Sequence, residues 1–126
     1  MSVQNPSIMI VEDEKLLLDA ISKKLTISKI KPIPCDSAEA ALEKLHEGKR
    51  PDAIWLDYHL KGMDGEAFVS KLLKDKSFAD IPVIVVSNSA PDKKIEGMLK
   101  LGVKQYLLKA EHRMDDITNI IKTYIH

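Results

Sequence analysis

Ala53-Ile54-Trp55-Leu56-Asp57-Tyr58-His59-Leu60-Lys61-Gly62-Met63-Asp64-Gly65 is the stretch that decides how this chain folds. Its first four residues are apolar with no polar alternation, which suits a strand covered on both faces. The run stops at a carboxylate, Asp57, and Gly62 with Asp64-Gly65 then marks a turn before a helix. A strand buried on both sides needs helices above and below its sheet, so the segment predicts an α/β domain with parallel strands.

Working outward, Ile8-Met9-Ile10-Val11, Pro32-Ile33-Pro34-Cys35, Val83-Ile84-Val85-Val86 and Gln105-Tyr106-Leu107-Leu108 read as further strands. Two prolines place the second of these at a sheet edge, because proline cannot donate to a ladder. Between the strands, apolar residues recur every three and four positions, clearest at Ala38, Ala41, Leu42 and Leu45 and at Ile117, Ile120, Ile121 and Tyr124. Looser stripes lie at Leu17, Ile21 and Leu25, at Phe68 and Leu72, and at Ile95, Met98 and Leu99. Pro51-Asp52 and Ile81-Pro82 punctuate strand entries, and Gly102 is placed to end the fourth helix. Five strands alternating with five helices give a (βα)5 unit with right-handed crossovers, a doubly wound parallel five-stranded sheet spanning residues 1–126 as a single domain.

Composition supports this. Apolar residues are 44% and charged residues 30% of 126, the balance of a chain that buries a core rather than staying disordered. Nineteen Lys plus Arg offset nineteen Asp plus Glu, so no overall field favours nucleic acid or an anionic membrane, and partners are selected by a local surface. Cys35 is the single cysteine; it cannot form an internal disulfide and has no zinc-spaced companions, which fits a cytoplasmic setting. The start lacks a signal-peptide pattern, and the apolar runs are far shorter than the roughly 20 residues of a membrane span.

In an open parallel sheet, ligands gather beyond the carboxyl ends of the strands. The first run ends in Glu12-Asp13-Glu14, the third in Asp57, the fourth in Ser87-Asn88-Ser89 and the fifth in Lys109. Singly, each has an ordinary explanation: Asp13 as the cap of a helix starting near Lys15, Asp57 and Ser87 as turn residues, Lys109 as a solvated strand end. Jointly they place acids, a hydroxyl and an amine on one rim. Clustered carboxylates repel and invite a hard divalent cation, for which magnesium with its taste for carboxylates, waters and phosphate oxygens is the natural candidate. A lysine and a serine alongside complete a phosphate site.

With these residues in this order, the chain resembles the receiver domains of two-component response regulators over essentially its whole length. The resemblance implies a flavodoxin-like sheet of strand order 2-1-3-4-5. It implies that Asp57 takes a phosphoryl group from a histidine kinase or a histidine phosphotransfer protein. Magnesium would then be held by Asp13, Asp57 and the backbone carbonyl of His59, with Glu12 acting through water. Lys109 would pair with the phosphoryl oxygens, Ser87 would move to hydrogen-bond them, and Tyr106 would turn inward as the switch residue. His59 and Ser89 would flank the phosphate and tune its loss.

Three positions depart from the family. Ala110 follows Lys109 where proline is usual, so a trans bond is expected with Lys109 still drawn to the acids. Lys61 also stands where proline is usual, and Asn88 where a small residue is preferred. Two other readings compete with this one. A phosphohydrolase of the haloacid dehalogenase type would need a second aspartate where His59 stands, and a degenerate receiver would bind partners without phosphorylation. No Gly-rich phosphate loop is present, Gly48-Lys49-Arg50 included, and His46-Glu47 lacks a second histidine for zinc. The chain stops at His126, so a stand-alone receiver or a fragment is expected, signalling through the face of helix 4, strand 5 and helix 5 near Lys93, Lys94, Lys104, His112 and Arg113. It would act as a monomer or a phosphorylation-dependent homodimer.

Overall fold

The computed structural model describes residues 5–88 and 92–125. Strands and helices alternate: β1 (Ser7–Val11), α1 (Lys15–Ile27), β2 (Lys31–Cys35), α2 (Ala38–His46), β3 (Ala53–Asp57), α3 (Gly65–Lys74), β4 (Val83–Ser87), α4 (Asp92–Leu101), β5 (Gln105–Leu108) and α5 (Met114–Lys122), with a 3-10 turn at Lys109–Glu111. The sheet runs β2-β1-β3-β4-β5, and every neighbouring pair is parallel.

Alternation along each strand feeds two cores. Met9, Val11, Ile54, Leu56, Val83 and Val85 pack with Ala41, Leu45, Phe68, Leu72 and Met98 on one side. Ile8, Ile10, Ala53, Trp55, Ile84 and Val86 pack with Leu18, Ile21, Leu25, Ile117 and Ile121 on the other. Helices α2, α3 and α4 therefore cover one face, and α1 and α5 the other. Among the described residues, no helix is long and apolar enough to cross a membrane.

Two stripes differ in detail from the periodic reading. In α1, Leu18 is buried while Leu17 is half-buried, and in α4 Met98 is buried while Leu99 stays exposed. Helix α5 ends at Lys122, and Tyr124 beyond it accepts a hydrogen bond from Gln105 Nε2 at 2.6 Å.

Strand β2 lies at the edge. The Lys31 N–H donates to the Pro6 carbonyl and the Cys35 carbonyl accepts from the Glu12 N–H, so the odd-numbered residues of β2 face β1. Pro32 and Pro34 consequently turn their nitrogens outward, where no ladder bond is lost. The Pro34 carbonyl accepts from Lys44 Nζ at 2.6 Å.

The turn after β3 is held at its far end by the start of α3. Asp64 caps that helix, accepting from the Ala67 N–H at 2.8 Å. Gly65 packs so closely that a Cβ there would meet the Tyr58 carbonyl oxygen at 3.1 Å and its Cα at 3.2 Å. Any larger residue would displace the backbone immediately after Asp57. Gly62, at φ +75°, supplies the left-handed step between them.

Candidate functional site

The strand order reverses direction between β1 and β3, and the crevice of such a sheet opens there. Register pairs Val11 with Leu56, so Glu12 and Asp57 leave the two strands side by side. Asp57 pairs with Val86, and Ser87 with Leu108, which brings Ser87 and Lys109 to the same rim.

Glu12 and Asp57 are buried, and Asp13 is half-buried; one carboxylate oxygen from each lies within 4.8 Å of the others. Lys109 enters this group directly, its ammonium donating to Glu12 Oε1 at 3.3 Å and standing 3.7 Å from Asp57 Oδ1. The Lys109–Ala110 bond is trans, since no cis peptide occurs among the described residues, and the ammonium points to the acids as its charge requires. Its stem lines a small apolar cavity of about 180 Å³ together with Trp55, Leu17, Ile21 and Met114.

Asp57 is pushed up to about 7. Burial is the main cause, followed by the repulsion of Glu12, and these outweigh the attraction of Lys109. The Glu12 side chain also hydrogen-bonds Asp57, which favours a proton between them, while the His59 backbone N–H supports the ionised form. Three carboxylates against one ammonium leave net negative charge in a partly dry crevice. That donor set fits a hard divalent ion, which replaces the shared proton by a fixed positive charge.

Asp13 does not cap α1. The cap position is Glu14, which makes no side-chain cap bond, and Asp13 Oδ2 accepts instead from the Lys61 backbone N–H at 3.1 Å. This donor was invisible in the sequence, where every residue but proline carries one. His59 itself is exposed, with its ring edge-on to Tyr58 at 5.1 Å, so its closeness to Asp57 comes through the backbone.

Ser87 is fully buried and Asn88 beside it is exposed, whereas Ser89 lies outside the described residues. The Tyr106 hydroxyl is already buried beside Ser87 without a well-formed hydrogen bond among the described residues. Burial raises its proton affinity and Ser87 opposes this. The Tyr106 side chain thus points into the fold with its hydroxyl end. Its ring packs against Tyr58 at 6.1 Å, a contact that sequence reasoning missed. Of the cations expected on the α4–β5–α5 face, Lys94 is engaged with Glu66 at 3.7 Å and with the Tyr58 hydroxyl; Lys93, Lys104 and Arg113 are exposed and His112 is half-buried.

Residues 8–122 match the model of the response regulator receiver domain. A putative two-component response regulator, ARR21 of Arabidopsis thaliana, is 30% identical over 115 residues, covering 90% of this chain and 18% of that protein. The chain thus spans under a fifth of that relative's length. A response regulator receiver protein from Pseudomonas putida superposes with a TM-score of 0.87 at 22% identity, covering 96% of this chain and 98% of the other. The phosphorylated cyanobacterial phytochrome response regulator RcpA gives 0.80 at 25% identity, with 94% and 90% covered. By the extent of the family match and the order in which its strand ends converge, the chain belongs to the response regulator receiver domains.

Proposed function

We propose that the chain is a phosphorylation switch in which Asp57 accepts a phosphoryl group from a histidine kinase or a histidine phosphotransfer protein. The observation that carries this reading is the Lys109 ammonium set 3.3 Å from Glu12 and 3.7 Å from Asp57 in a buried acidic crevice. A carboxylate beside a fixed cation, with a second acid raising its energy, is poised to exchange repulsion for a bond to phosphorus.

In the transfer, an ionised Asp57 oxygen attacks phosphorus, the new P–O bond forms, and the P–N bond of the donor breaks with its electron pair left on the imidazole. Lys109 donates to the phosphoryl oxygens, and the Ser87 hydroxyl supplies a second donor. Glu12, Asp13, Asp57 and the His59 carbonyl would hold magnesium, which when bound neutralises the acids and draws phosphoryl oxygens inward. The added charge is read by Ser87 and Tyr106 and passed to the α4–β5–α5 face, where a downstream protein docks. The chain assists its own phosphorylation and dephosphorylation rather than turning over a separate substrate. Residues 1–126 act as one receiver domain in the cytoplasm, with no nucleic acid bound directly, as a monomer or a phosphorylation-dependent homodimer.

Incubation with magnesium and acetyl phosphate, followed by intact mass measurement, tests the reading. A gain of one phosphoryl group that Asp57→Asn abolishes is expected. No gain, or an undiminished gain in the variant, overturns it.

A further inference from the structure

We infer that Lys61, through its backbone N–H and not its ammonium, is a positioning residue of the magnesium site. The inference rests on the metal-dependent reading above and names a part of the site which that reading does not contain. Asp13 belongs to the loop after β1 and Lys61 to the loop after β3, 48 residues apart, and the N–H of one reaches Oδ2 of the other at 3.1 Å. The two loops that would bring metal ligands together are thereby tied to each other by a hydrogen bond within the protein. The Lys61 side chain is exposed, so its contribution to the crevice is made by the backbone.

The surrounding geometry shows why a tie is needed there. The loop is fixed at one end by β3 and at the other by Gly65, whose N–H donates to the Tyr58 carbonyl at 3.3 Å. Between these points the left-handed Gly62 gives the backbone freedom. The Lys61 hydrogen bond restrains that middle section, and the His59 carbonyl two residues earlier is carried with it. Receivers usually carry proline at this position, which narrows φ but has no N–H to donate. Here a hydrogen bond to a charged acceptor does the restraining in place of a ring. Donation to Asp13 leaves room for an ion, because a carboxylate has about four lone-pair directions.

The test is magnesium affinity, measured with 15N-labelled protein by following the amide signals of residues 12–14 and 57–60 as magnesium is added. Lys61→Ala keeps the N–H and should bind within about twofold of the wild type. Lys61→Pro deletes the donor and should bind about five- to tenfold more weakly, the share of a charge-assisted hydrogen bond that survives at a half-exposed position. Both are compared at a temperature where circular dichroism shows them fully folded. Equal affinity in Lys61→Pro, or equal loss in Lys61→Ala, overturns the inference. Should the proline variant not fold, the wild-type chain decides: the Lys61 amide should exchange with solvent slowly in the absence of metal, and Asp13→Ala should release it. An amide that exchanges as freely as an unrestrained loop overturns the tie. A wild-type chain with no magnesium response overturns the reading of the site and this inference together, whereas a responsive wild type with an indifferent proline variant removes the inference alone.

Discussion

Asp80 and Asp57 each face a cation, yet the Arg50 guanidinium holds the Asp80 carboxyl below its ordinary range while Asp57, 3.7 Å from Lys109, is pushed up to about 7. Asp80 and Arg50 stand in water on the surface, where the partner's donated hydrogen bond is the largest influence. In the crevice the order inverts: burial and the adjacent Glu12 outweigh the lysine. The same pairing of acid and base is a modest surface contact in one place and a reservoir of repulsion in the other. What separates them is the wall of β1, β3 and β4 around Asp57.

Removing the cation breaks the contrast most severely. Lys109→Met should slow acetyl phosphate-driven phosphorylation by about a hundredfold or more, the effect of deleting a charged donor at a transferring group. A rate within tenfold of the wild type would mean that Lys109 is a structural counter-ion alone. Removing the like charge sharpens the comparison in the opposite sense. In metal-free protein, Glu12→Gln should bring Asp57 down from about 7 toward the range of an ordinary carboxylate, and Lys109→Met should send it higher, both read by 13C NMR of the Asp57 carboxyl.

Stability carries the same signature. Asp57 titrates near 7 when folded and near 3.8 when unfolded, so between these values the folded chain keeps a proton that the unfolded chain has released. Stability from this group is full below pH 3.8 and is lost as pH rises through about 7. Asp57→Asn should therefore stabilise the metal-free protein by about 1–3 kcal/mol at pH 8, with the advantage shrinking as pH falls toward 4. A pH-independent difference in melting temperature would refute the assignment.

A smaller effect is expected at Trp55, which lies on the Asp57 side of β3 and shares a cavity wall with the Lys109 stem. Its fluorescence should change on adding magnesium or beryllofluoride, and an unchanged spectrum would mean that the acidic group is mechanically separate from the cavity. Least of all is expected from Arg50→Ala, which should leave phosphorylation and the pH dependence of melting as they are, because its pair is open to solvent.

Much of this was legible because it depends on strand ends. Apolar runs without alternation mark buried parallel strands, and the residue stopping each run must lie on the ligand-binding rim, so Glu12, Asp13, Asp57, Ser87 and Lys109 are gathered by the sequence alone. The edge position of β2 followed from its prolines in the same way. Interactions made by the backbone or by loop packing left no such trace. Asp13 is as good a helix cap as a ligand by residue type, and its choice of Lys61 over α1 depends on how two distant loops approach. The Tyr58–Tyr106 contact, and the burial of the tyrosine hydroxyl, arise from packing between the end of β3 and β5 across the intervening β4, which no local periodicity encodes. Leu99 shares the spacing of Met98 yet stays exposed, since a stripe does not say how wide the covering surface is.

The two outward-facing prolines of β2 have a meaning beyond the sheet they close. An extended segment from another molecule needs alternating donors and acceptors to lengthen a sheet, and along this strand it would find no outward N–H, with the Pro34 carbonyl already taken by Lys44. On that side the protein is protected against templated aggregation by covalent chemistry rather than by charge, a safeguard that salt does not screen and that persists while the helices around it breathe.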